Sequence, residues 1–463
     1  MSAPVSHVPH KRVLPTLNAD GTRNNIRPRL YAGRLYRVRR WVALALLVSF
    51  AAVPFVRIQG KPAILLNVVE REFTLFGRTF LPTDGALLML LMLSIFVGVF
   101  WATALFGRAW CGYGCPQTVY MEFVFRPIER LFEGPREQQL RIDRHGWTHP
   151  RRLLKNAVFL LVSALVGNLF LAYFVGVATQ ARWVTHSPAQ HPTGFLVMLV
   201  TTLLVFFDFA YFREQMCTVA CPYARLQSAL LDRRSLVIAY DQPRGEPRSK
   251  GKPKPGHGDC IDCNACVTTC PTGIDIRHGL QLECIACGQC ADACDSIMTR
   301  LNKPKALIGY NSQARLAGEK ARTLLRPRVV IYSVLLVGLI GALSFGLSRN
   351  HAAEVTLLRG LGAPFSVDGD NITNHLRLKV ENRTNAPRAY RVELTDVPSA
   401  RLIAPELPLR VEASAHRTTG FFAVIPRSAI PRGERLVHLR VSDDANYREE
   451  LPYKLLGPES PKP

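Results

Sequence analysis

The residues best suited to chemistry in this 463-residue chain are its 12 cysteines, which their spacing divides into two sets. All 12 fall between Cys111 and Cys294. Eight form one block, whereas four occur as two pairs in which three residues separate the cysteines and a proline follows. Thiolates bind iron–sulfur clusters and soft metal ions, and a secreted disulfide scaffold would spread its cysteines differently. Both sets therefore predict metal or redox chemistry.

The eight-cysteine block contains the spacing C-x2-C-x2-C-x3-C twice, which is typical of bacterial ferredoxins with two clusters. Three cysteines at two-residue gaps can wrap around three irons of a cubane, while the fourth is directed toward the other cluster. The predicted ligands are Cys260, Cys263, Cys266 and Cys294 for the first [4Fe-4S] cluster and Cys284, Cys287, Cys290 and Cys270 for the second. Zinc also binds C-x2-C pairs, but two complete four-cysteine runs favour clusters that form an electron relay.

The two Cys-x-x-x-Cys-Pro pairs each follow a long apolar run and precede a sequence with helical character. The pairs are Cys111 with Cys115 and Cys217 with Cys221. Proline suits the first position of a helix, and the positive end of that helix, with Arg108 or Arg213 nearby, is expected to favour ionised thiols. The four cysteines are candidate copper or redox residues. They could hold Cu(I), zinc or a cluster, form a reversible dithiol pair, or be ordinary packed cysteines in tight turns.

Five apolar runs around these cysteines have the length of membrane-spanning helices. The predicted spans are Trp41–Val56, Gly85–Phe106, Asn156–Ala178, Thr193–Phe212 and Val329–Ser348. Lys and Arg are dense before the first run, between the second and third, and after the fourth. Segment 179–192 has only Arg182, and segment 57–84 balances its Lys and Arg with Glu70, Glu72 and Asp84. The positive-inside rule then predicts that the N-terminus and all the cysteines face the reducing cytoplasm, where structural disulfides are not expected. The net charge of +23 is attributed to this topology, and no recognition motif indicates nucleic-acid binding.

A repeat is predicted because a helix pair, a cysteine turn and a further helix occur at 41–132 and again at 156–234. Such a repeat could bring the four paired cysteines together at the membrane edge. The Pro-, Gly- and Lys-rich segment 241–259 is predicted to be a flexible linker. Asp208 and Asn168, which are polar residues within spans, are candidates for a quinone, proton or packing role.

The chain changes character after residue 351, where short alternating runs predict an antiparallel β-sandwich of immunoglobulin-like type. The predicted fold class is a multidomain membrane protein with an α-helical bundle of about five spans, a two-cluster ferredoxin-like α+β insert and a C-terminal all-β sandwich. The predicted domains are a basic cytoplasmic tail (1–40), a four-helix membrane domain with both cysteine turns (41–240), a cytoplasmic ferredoxin domain (241–325), a fifth transmembrane helix (329–348) and a periplasmic β-sandwich (351–463).

The chain resembles the FixG/CcoG/RdxA family of cytochrome oxidase accessory proteins. The resemblance lies in the stretches GRAWCGYGCPQTVYMEFVFRPIER, REQMCTVACPYARLQS and DCIDCNACVTTCPTGIDIRHGLQLECIACGQCADACD. It implies an iron–sulfur electron-transfer protein of the bacterial inner membrane that acts in assembly of the cbb-type oxidase. It also implies an oxidoreductase with cupric reductase activity, two [4Fe-4S] clusters, and copper as a further candidate cofactor.

The implied partners are the membrane, oxidase subunits or copper chaperones that meet the periplasmic domain, and a cytoplasmic or quinol electron donor. One-electron flow through the clusters to Cu(II) near the cysteine turns is the expected mechanism, since thiolates favour Cu(I). The alternative is a quinol dehydrogenase subunit that feeds a periplasmic reductase, similar to NapH-type polyferredoxins. The C-terminal β-domain favours the accessory-protein interpretation, because a simple quinol subunit does not need it. A third interpretation is a scaffold with structural clusters.

Overall fold

The computed structural model describes most of the chain. The described residues are 12–18, 20, 22–58, 60–69, 72–80, 84–145, 149–251, 255–319, 326–348, 352–360, 362–384, 386–413, 415–430, 433–445 and 447–458. Residues 1–11 of the predicted tail and 320–325 of the predicted ferredoxin domain lie outside them. The chain divides into two compact units. One comprises Met1–Val56, Pro62–Thr74 and Pro82–Leu343, and the other Arg57–Lys61, Leu75–Leu81 and Ser344–Pro463.

Five helices within the described ranges are long and apolar enough to cross a membrane, as predicted. They are Arg34–Phe55, Gly85–Phe106, Pro150–Val175, Pro192–Phe212 and Pro327–Ser348. The third, fourth and fifth helices each begin at a proline, which suits the first helical position because it has no N–H to satisfy. The first begins at Arg34, before the predicted Trp41. The apolar pattern alone therefore underestimates the length of a helix that continues into polar residues.

Each cysteine turn is a five-residue π-helical turn followed by a helix that starts with proline. After the second span, the turn Trp110–Gly114 leads into Pro116–Tyr120, Met121–Phe125 and Arg126–Glu133. After the fourth span, the turn Met216–Ala220 leads into Pro222–Leu230. Two further helices, Arg136–Arg144 and Val177–Thr185, lie next to the third span in the sequence.

The eight-cysteine block lies in a small α+β domain built on one antiparallel strand pair. Strand Val237–Tyr240 pairs with Ile308–Asn311, so the strand pair begins on the N-terminal side of the boundary predicted at residue 241. The helical segments of this domain are Gln242–Gly245, Ala265–Thr268, Ile276–His278, Gln289–Arg300 and Gln313–Leu316. Its core contains Ile238, Ile276 and Met298, which are nearly fully buried.

The predicted flexible linker and the predicted N-terminal tail both form hydrogen bonds with this domain. In the predicted linker, the backbone N–H of Ser249 donates to the Cys260 carbonyl at 3.0 Å. Arg244 Nε donates to Asp259 Oδ2 at 2.7 Å. In the N-terminal tail, the backbone N–H of Arg29 donates to the Thr268 carbonyl at 2.9 Å. The flexible-linker prediction is therefore wrong for the described part of that segment, because composition does not reveal such long-range hydrogen bonds.

The C-terminal unit contains the predicted antiparallel β-sandwich. One sheet runs in the order Ala353–Arg359, Asn371–Asn382, His416–Pro426 and Arg401–Ile403, with Ser366–Asp368 also paired to the second of these. The other runs Leu409–Val411, Arg388–Leu394, Glu434–Ser442 and Arg448–Leu456. Alternate residues such as Leu376, Leu378 and Val380 are fully buried, which is the two-residue period of a sheet with one face on the core.

Short strands also precede and follow the first span in the sequence. They are Arg12–Leu14, Leu17–Asn18, Arg57–Ile58, Lys61–Pro62, Ile64–Asn67, Glu72–Leu75 and Arg78–Phe80.

Candidate metal centres

The eight cysteines of the ferredoxin-like domain surround two neighbouring cavities. The first is lined by Cys260, Cys263, Cys266 and Cys294. The second is lined by Cys270, Cys284, Cys287 and Cys290, with Cys266 also in its wall. The fourth cysteine of each run thus joins the first three of the other run, as two-cluster ferredoxin spacing requires. Four thiols in an apolar shell form a donor set that fits one [4Fe-4S] cluster per cavity.

The two cysteine loops have the same backbone conformation at equivalent positions. Asp262 and Asn264 adopt φ values of 52° and 54°, and Ala286 and Gly288 adopt 53° and 74°. Left-handed residues at these steps curl each loop around its cavity. Asn264 and Gly288 also precede the helices that carry the third cysteine of each run, Cys266 and Cys290.

Burial makes several of these cysteines unfavourable as free thiolates. It raises the pKa of Cys266, Cys284 and Cys294 to about 12. In Cys284 the hydrogen bond from the Ala286 backbone acts in the opposite direction but does not prevail. These thiols therefore lose their protons at neutral pH only when a cation takes their place, as ligation of iron requires.

The four remaining cysteines, Cys111, Cys115, Cys217 and Cys221, are called the membrane-edge cysteines. Cys111 and Cys217 are each the second residue of a π-helical turn. Cys115 and Cys221 have extended backbones, with φ and ψ of −65° and 126° and of −72° and 109°, immediately before the helix-starting proline. Four residues before the first cysteine of each pair, Gly107 (φ 59°) and Arg213 (φ 49°) end the preceding helix in the same way. This correspondence supports the predicted internal repeat.

The structure brings the membrane-edge cysteines together. Cys111 and Cys217 pack in one buried cluster with Tyr223. The pKa of Cys217 is raised to about 12, first by burial and then by the nearness of the other three thiols. Cys111 Sγ donates a hydrogen bond to Gln227 Oε1 at 3.0 Å. Across the described residues, no group of three or more His, Cys, Asp or Glu side chains is arranged to hold a single metal ion.

The expectation that the paired thiols ionise readily is wrong for Cys111, Cys115 and Cys217. Burial raises the pKa of Cys111 to about 11, and the opposing effect of Arg108 is smaller. Burial also raises the pKa of Cys115, although backbone N–H groups of the following helix act against it. Arg213 pairs instead with Glu129, its Nη1 lying 3.0 Å from Oε1. Desolvation therefore raises the pKa of Cys111 and Cys115 more than the positive helix end and Arg108 lower it.

The first cysteine turn packs directly on the loop of the second cluster cavity. A Cβ atom at Gly112 would lie 2.8 Å from the Ile285 carbonyl oxygen and 2.9 Å from that of Ala286. Cys111 shares a buried cluster with Ile285 and Cys287. Arg108 also donates to a backbone carbonyl near this loop, that of Leu282. The membrane-edge cysteines thus lie beside the second cavity.

The structure contains a buried ionic network beside the cysteine turns, which the sequence analysis did not predict. The helical run after Pro116 carries Glu122, Arg126, Glu129 and Glu133 on one buried face. Spacings of four, three and four residues are the signal that could have revealed this face. Arg126 Nη2 donates to Glu214 Oε1 at 2.8 Å and also to the Pro271 carbonyl at 3.2 Å, which connects the network to the ferredoxin-like domain.

Asp208 and Asn168, the polar residues predicted within spans, have partners. Asp208 Oδ1 accepts a hydrogen bond from Gln117 Nε2 at 3.1 Å. Asn168 Nδ2 donates to the Ala164 carbonyl at 2.7 Å, and its Oδ1 accepts from Gln180. These contacts favour the packing role for both residues.

Comparison with known protein families matches the cysteine-bearing segments and the sandwich separately. Residues 212–313 match a 4Fe-4S dicluster domain, and residues 88–135 match a 4Fe-4S binding domain. Residues 343–458 match the IG-like fold at the C-terminus of FixG. The chain is therefore an iron–sulfur electron-transfer protein with multiple membrane-spanning helices.

Similarity to individual proteins extends over most of the chain. Protein RdxA of Cereibacter sphaeroides is 34% identical, with 93% of this chain and 96% of RdxA covered. Nitrogen fixation protein FixG of Rhizobium meliloti is 29% identical, with 93% and 92% covered. Protein RdxB of C. sphaeroides is 34% identical, with 81% and 82% covered. With the cysteine arrangement and the sandwich in place, this similarity shows that the chain belongs to the FixG/RdxA family.

Proposed function

We propose that this protein reduces Cu(II) to Cu(I) for assembly of a cbb-type cytochrome oxidase. The observation that carries the proposal is the packing of Gly112, in the first cysteine turn, against the carbonyls of Ile285 and Ala286 in the second cluster loop. This contact puts a set of soft sulfur donors beside an electron carrier. The proposal combines that contact with membership of the FixG/RdxA family.

The proposed cluster ligands are the two predicted sets. Cys260, Cys263, Cys266 and Cys294 would hold one [4Fe-4S] cluster, and Cys270, Cys284, Cys287 and Cys290 the other. When bound, the clusters supply one-electron transfer. The curled loops would position them, and Ile238 and Met298 would exclude water from the two cavities, which share Cys266 in their walls.

The membrane-edge cysteines are the proposed copper site. The raised pKa values of Cys111, Cys115 and Cys217 mean that copper binding would release protons from these thiols to solvent. Each Cu(II) accepts one electron, and a reduced cluster loses one. Sulfur ligands favour the Cu(I) product and would retain it for transfer to an acceptor. Among the described residues these thiols are not arranged to hold a single ion, so they would have to draw closer to bind copper.

The proposed topology puts the N-terminus and all the cysteines in the cytoplasm of a bacterial cell and the β-sandwich in the periplasm, across the inner membrane. The basic connecting segments support it through the positive-inside rule. Oxidase subunits or a copper chaperone would meet the sandwich, and the donor would be cytoplasmic or a quinol.

The test is reoxidation of the clusters in purified protein. Dithionite-reduced protein, freed of excess reductant, is mixed with Cu(II), and loss of the reduced-cluster signal is compared with Cu(I) captured by a chelator. We expect one Cu(I) per electron lost. Absence of copper-driven reoxidation would contradict the proposal.

A variant with all four membrane-edge cysteines changed to serine tests the copper site separately. It should keep its iron and sulfide content, because the proposed cluster ligands are intact, while reducing Cu(II) much more slowly. Unchanged copper reduction would remove these cysteines from the mechanism and leave the cupric reductase activity standing. Loss of iron from this variant would instead indicate that they hold part of a cluster.

Quinol oxidation is the second candidate function, favoured by an apolar cavity of about 360 Å³ next to Cys111. Residues of the second span, including Ile95, Val99 and Phe106, line it, and Gln227 and Tyr223 form its polar end. Gln227 Nε2 donates to the Tyr223 hydroxyl at 2.9 Å. A quinone analogue that reoxidises the clusters when Cu(II) does not would support this function over copper reduction.

A further inference from the structure

Another cavity, separate from the two cluster cavities and from the apolar cavity, has a cationic lining and no role in the chemistry proposed above. It has a volume of about 170 Å³ and lies at adjoining ends of the third and fourth spans. Its wall contains five basic side chains and no carboxylate. This cationic cavity is lined by Arg23, Arg27, Arg152, Lys155, Arg213 and Asn156, with Asn25, Ala210 and Tyr211 completing the wall.

Most of the basic residues in this wall are deeply buried, which is costly unless anions are near. Arg27, Arg152, Lys155 and Arg213 are between 4% and 8% exposed. Carboxylates behind the wall form ion pairs with them. For example, Lys155 Nζ lies 2.9 Å from Glu133 Oε1, and Arg152 Nη2 lies 2.5 Å from Asp143 Oδ1. None of these acids is among the residues that line the cavity.

The charges of the network do not balance. Six basic side chains take part in its ion pairs: Arg23, Arg27, Arg126, Arg152, Lys155 and Arg213. Five acidic side chains oppose them: Glu122, Glu129, Glu133, Asp143 and Glu214. Among the described residues these ion pairs leave one positive charge over, and every basic member of the network except Arg126 lines the cavity.

One buried donor of the wall makes no hydrogen bond within the described ranges. It is Nε of Arg213, which lies 3.4 Å from Glu214 Oε1 in an ion pair. The Arg23 guanidinium lies over the ring of Tyr211, 5.1 Å from its centroid, and Tyr211 is 45% exposed. An aromatic ring beside basic residues at the end of a span is typical of the depth at which lipid headgroups lie.

We propose that the cationic cavity binds a phosphate-bearing anion. Arg and Lys side chains together with an amide provide the donors that phosphate oxygens require, and the anion would offset the surplus charge. The volume is several times the roughly 30 Å³ that one water occupies in the liquid, so a phosphate group can enter. The ligand is either the headgroup of an anionic phospholipid or free phosphate. This site is independent of the copper proposal.

The test measures thermal unfolding of the purified full-length protein with each source of phosphate. One arm uses inorganic phosphate, with sodium chloride at matched ionic strength as the control. The other reconstitutes the protein in phosphatidylcholine vesicles with or without phosphatidylglycerol. A rise in melting temperature with phosphate alone assigns free phosphate. A rise only with phosphatidylglycerol assigns the lipid headgroup, and no rise in either arm overturns the proposal.

Two substitutions on one helix turn separate the site from general surface charge. Asn156→Asp puts a carboxylate into the cavity, whereas Arg151→Gln removes one charge from an exposed side chain outside it. Both lower the net charge by one. We expect Asn156→Asp to weaken anion binding by roughly tenfold or more, because its carboxylate takes the place of the anion, and Arg151→Gln to leave it unchanged. Equal effects of the two substitutions would overturn the proposal.

Discussion

Gly112 shows how much of the proposed function depends on the absence of one side chain. The carbonyl oxygens of Ile285 and Ala286 occupy the space that a β-carbon would need. Arg39 Nε donates to the Gly112 carbonyl at 2.8 Å, and Tyr310 donates to that of Ala286 at 2.6 Å, so both sides of the contact are held in place. Because these hydrogen bonds hold both backbones in place, the lack of a side chain at Gly112 allows the short distance between the cysteine turn and the cluster loop.

Gly112→Ala is therefore expected to separate the turn from the loop. The added methyl should cost about 1–3 kcal/mol of stability through overpacking. It should slow reoxidation of the reduced clusters by Cu(II) while iron content stays the same, because no proposed ligand is altered. Stopped-flow absorbance of the clusters measures the rate. Gly338→Ala in the fifth span is the matched control, since a methyl there meets nothing within 4 Å. Equal rates in the two variants would show that this contact does not govern electron transfer.

The ferredoxin-like domain caps the N-terminus of the first membrane helix. Asp292 accepts hydrogen bonds from the backbone N–H groups of Leu35 at 3.1 Å and Tyr36 at 2.7 Å. These groups lie in the first turn after Gly33 and would otherwise lack partners. A β-carbon on Gly33 would overlap Asp292, so the glycine is required for the close approach. An acid from a distant element thus performs the role that Ser or Asp usually performs locally.

Asp292→Ala should weaken this attachment by about 0.5–2 kcal/mol, the usual effect of losing an N-terminal cap. Hydrogen exchange at the backbone of Leu35 and Tyr36 should accelerate, and the melting temperature should fall. Asp292→Asn keeps an acceptor oxygen and should retain most of the protection. If alanine and asparagine have the same effect, the side-chain oxygen is not acting as a cap.

Glu129, in the helix Arg126–Glu133, forms ion pairs with the N-terminal segment, with the third span and with the residue that follows the fourth span. Burial tends to raise its pKa, but the charges of Arg213, Arg27 and Lys155 outweigh burial and hold it well below the ordinary value of 4.5. Because the folded-state pKa is depressed, its stabilising effect is complete above that ordinary value and is lost as pH falls toward the folded-state pKa.

Glu129→Gln should therefore destabilise the protein by about 3–5 kcal/mol near neutral pH, since three buried cations lose their shared partner. The difference from wild type should persist down to mildly acidic pH and shrink only below the ordinary pKa. Chemical denaturation at several pH values measures it. Glu137→Gln, at an exposed position on the next helix, is the control and should be within about 0.5 kcal/mol of wild type. A deficit that stays constant at every pH would contradict a depressed pKa for Glu129 in the folded protein.

Sequence reasoning succeeded for features that are encoded locally. The span count and the sandwich followed from apolar length and two-residue alternation, as in Leu376 and Leu378. It failed where partners are distant in the chain. Nothing near Ser249 indicates that its N–H meets the Cys260 carbonyl, and the ease of thiol ionisation at Cys111 was misjudged because helix position is visible in sequence whereas burial is not. The cluster ligand sets remain a prediction that iron analysis must test.

For the molecule as a whole, the placement of charge has to satisfy two requirements at once. In the proposed topology, basic residues keep one end of the spans on the cytoplasmic side, and several of them, including Arg27, Arg152 and Arg213, are also buried in the ionic network. The proposed topology and the tertiary structure would then depend on the same residues. The segment 179–192, at the opposite end of the third and fourth spans, has only Arg182 as a basic residue.

Reporter fusions on either side of the fifth span test the proposed topology. A fusion after Leu316 precedes that helix, and a fusion after Ser348 follows it. If the cysteine-bearing face is cytoplasmic, green fluorescent protein should fluoresce after Leu316, and alkaline phosphatase should be active after Ser348. The pair shares every upstream residue, so the fifth span is the main difference between them. The reverse pattern would place the clusters outside the cytoplasm and contradict the proposed topology. Activity of the same reporter at both positions would show that Pro327–Ser348 does not cross the membrane.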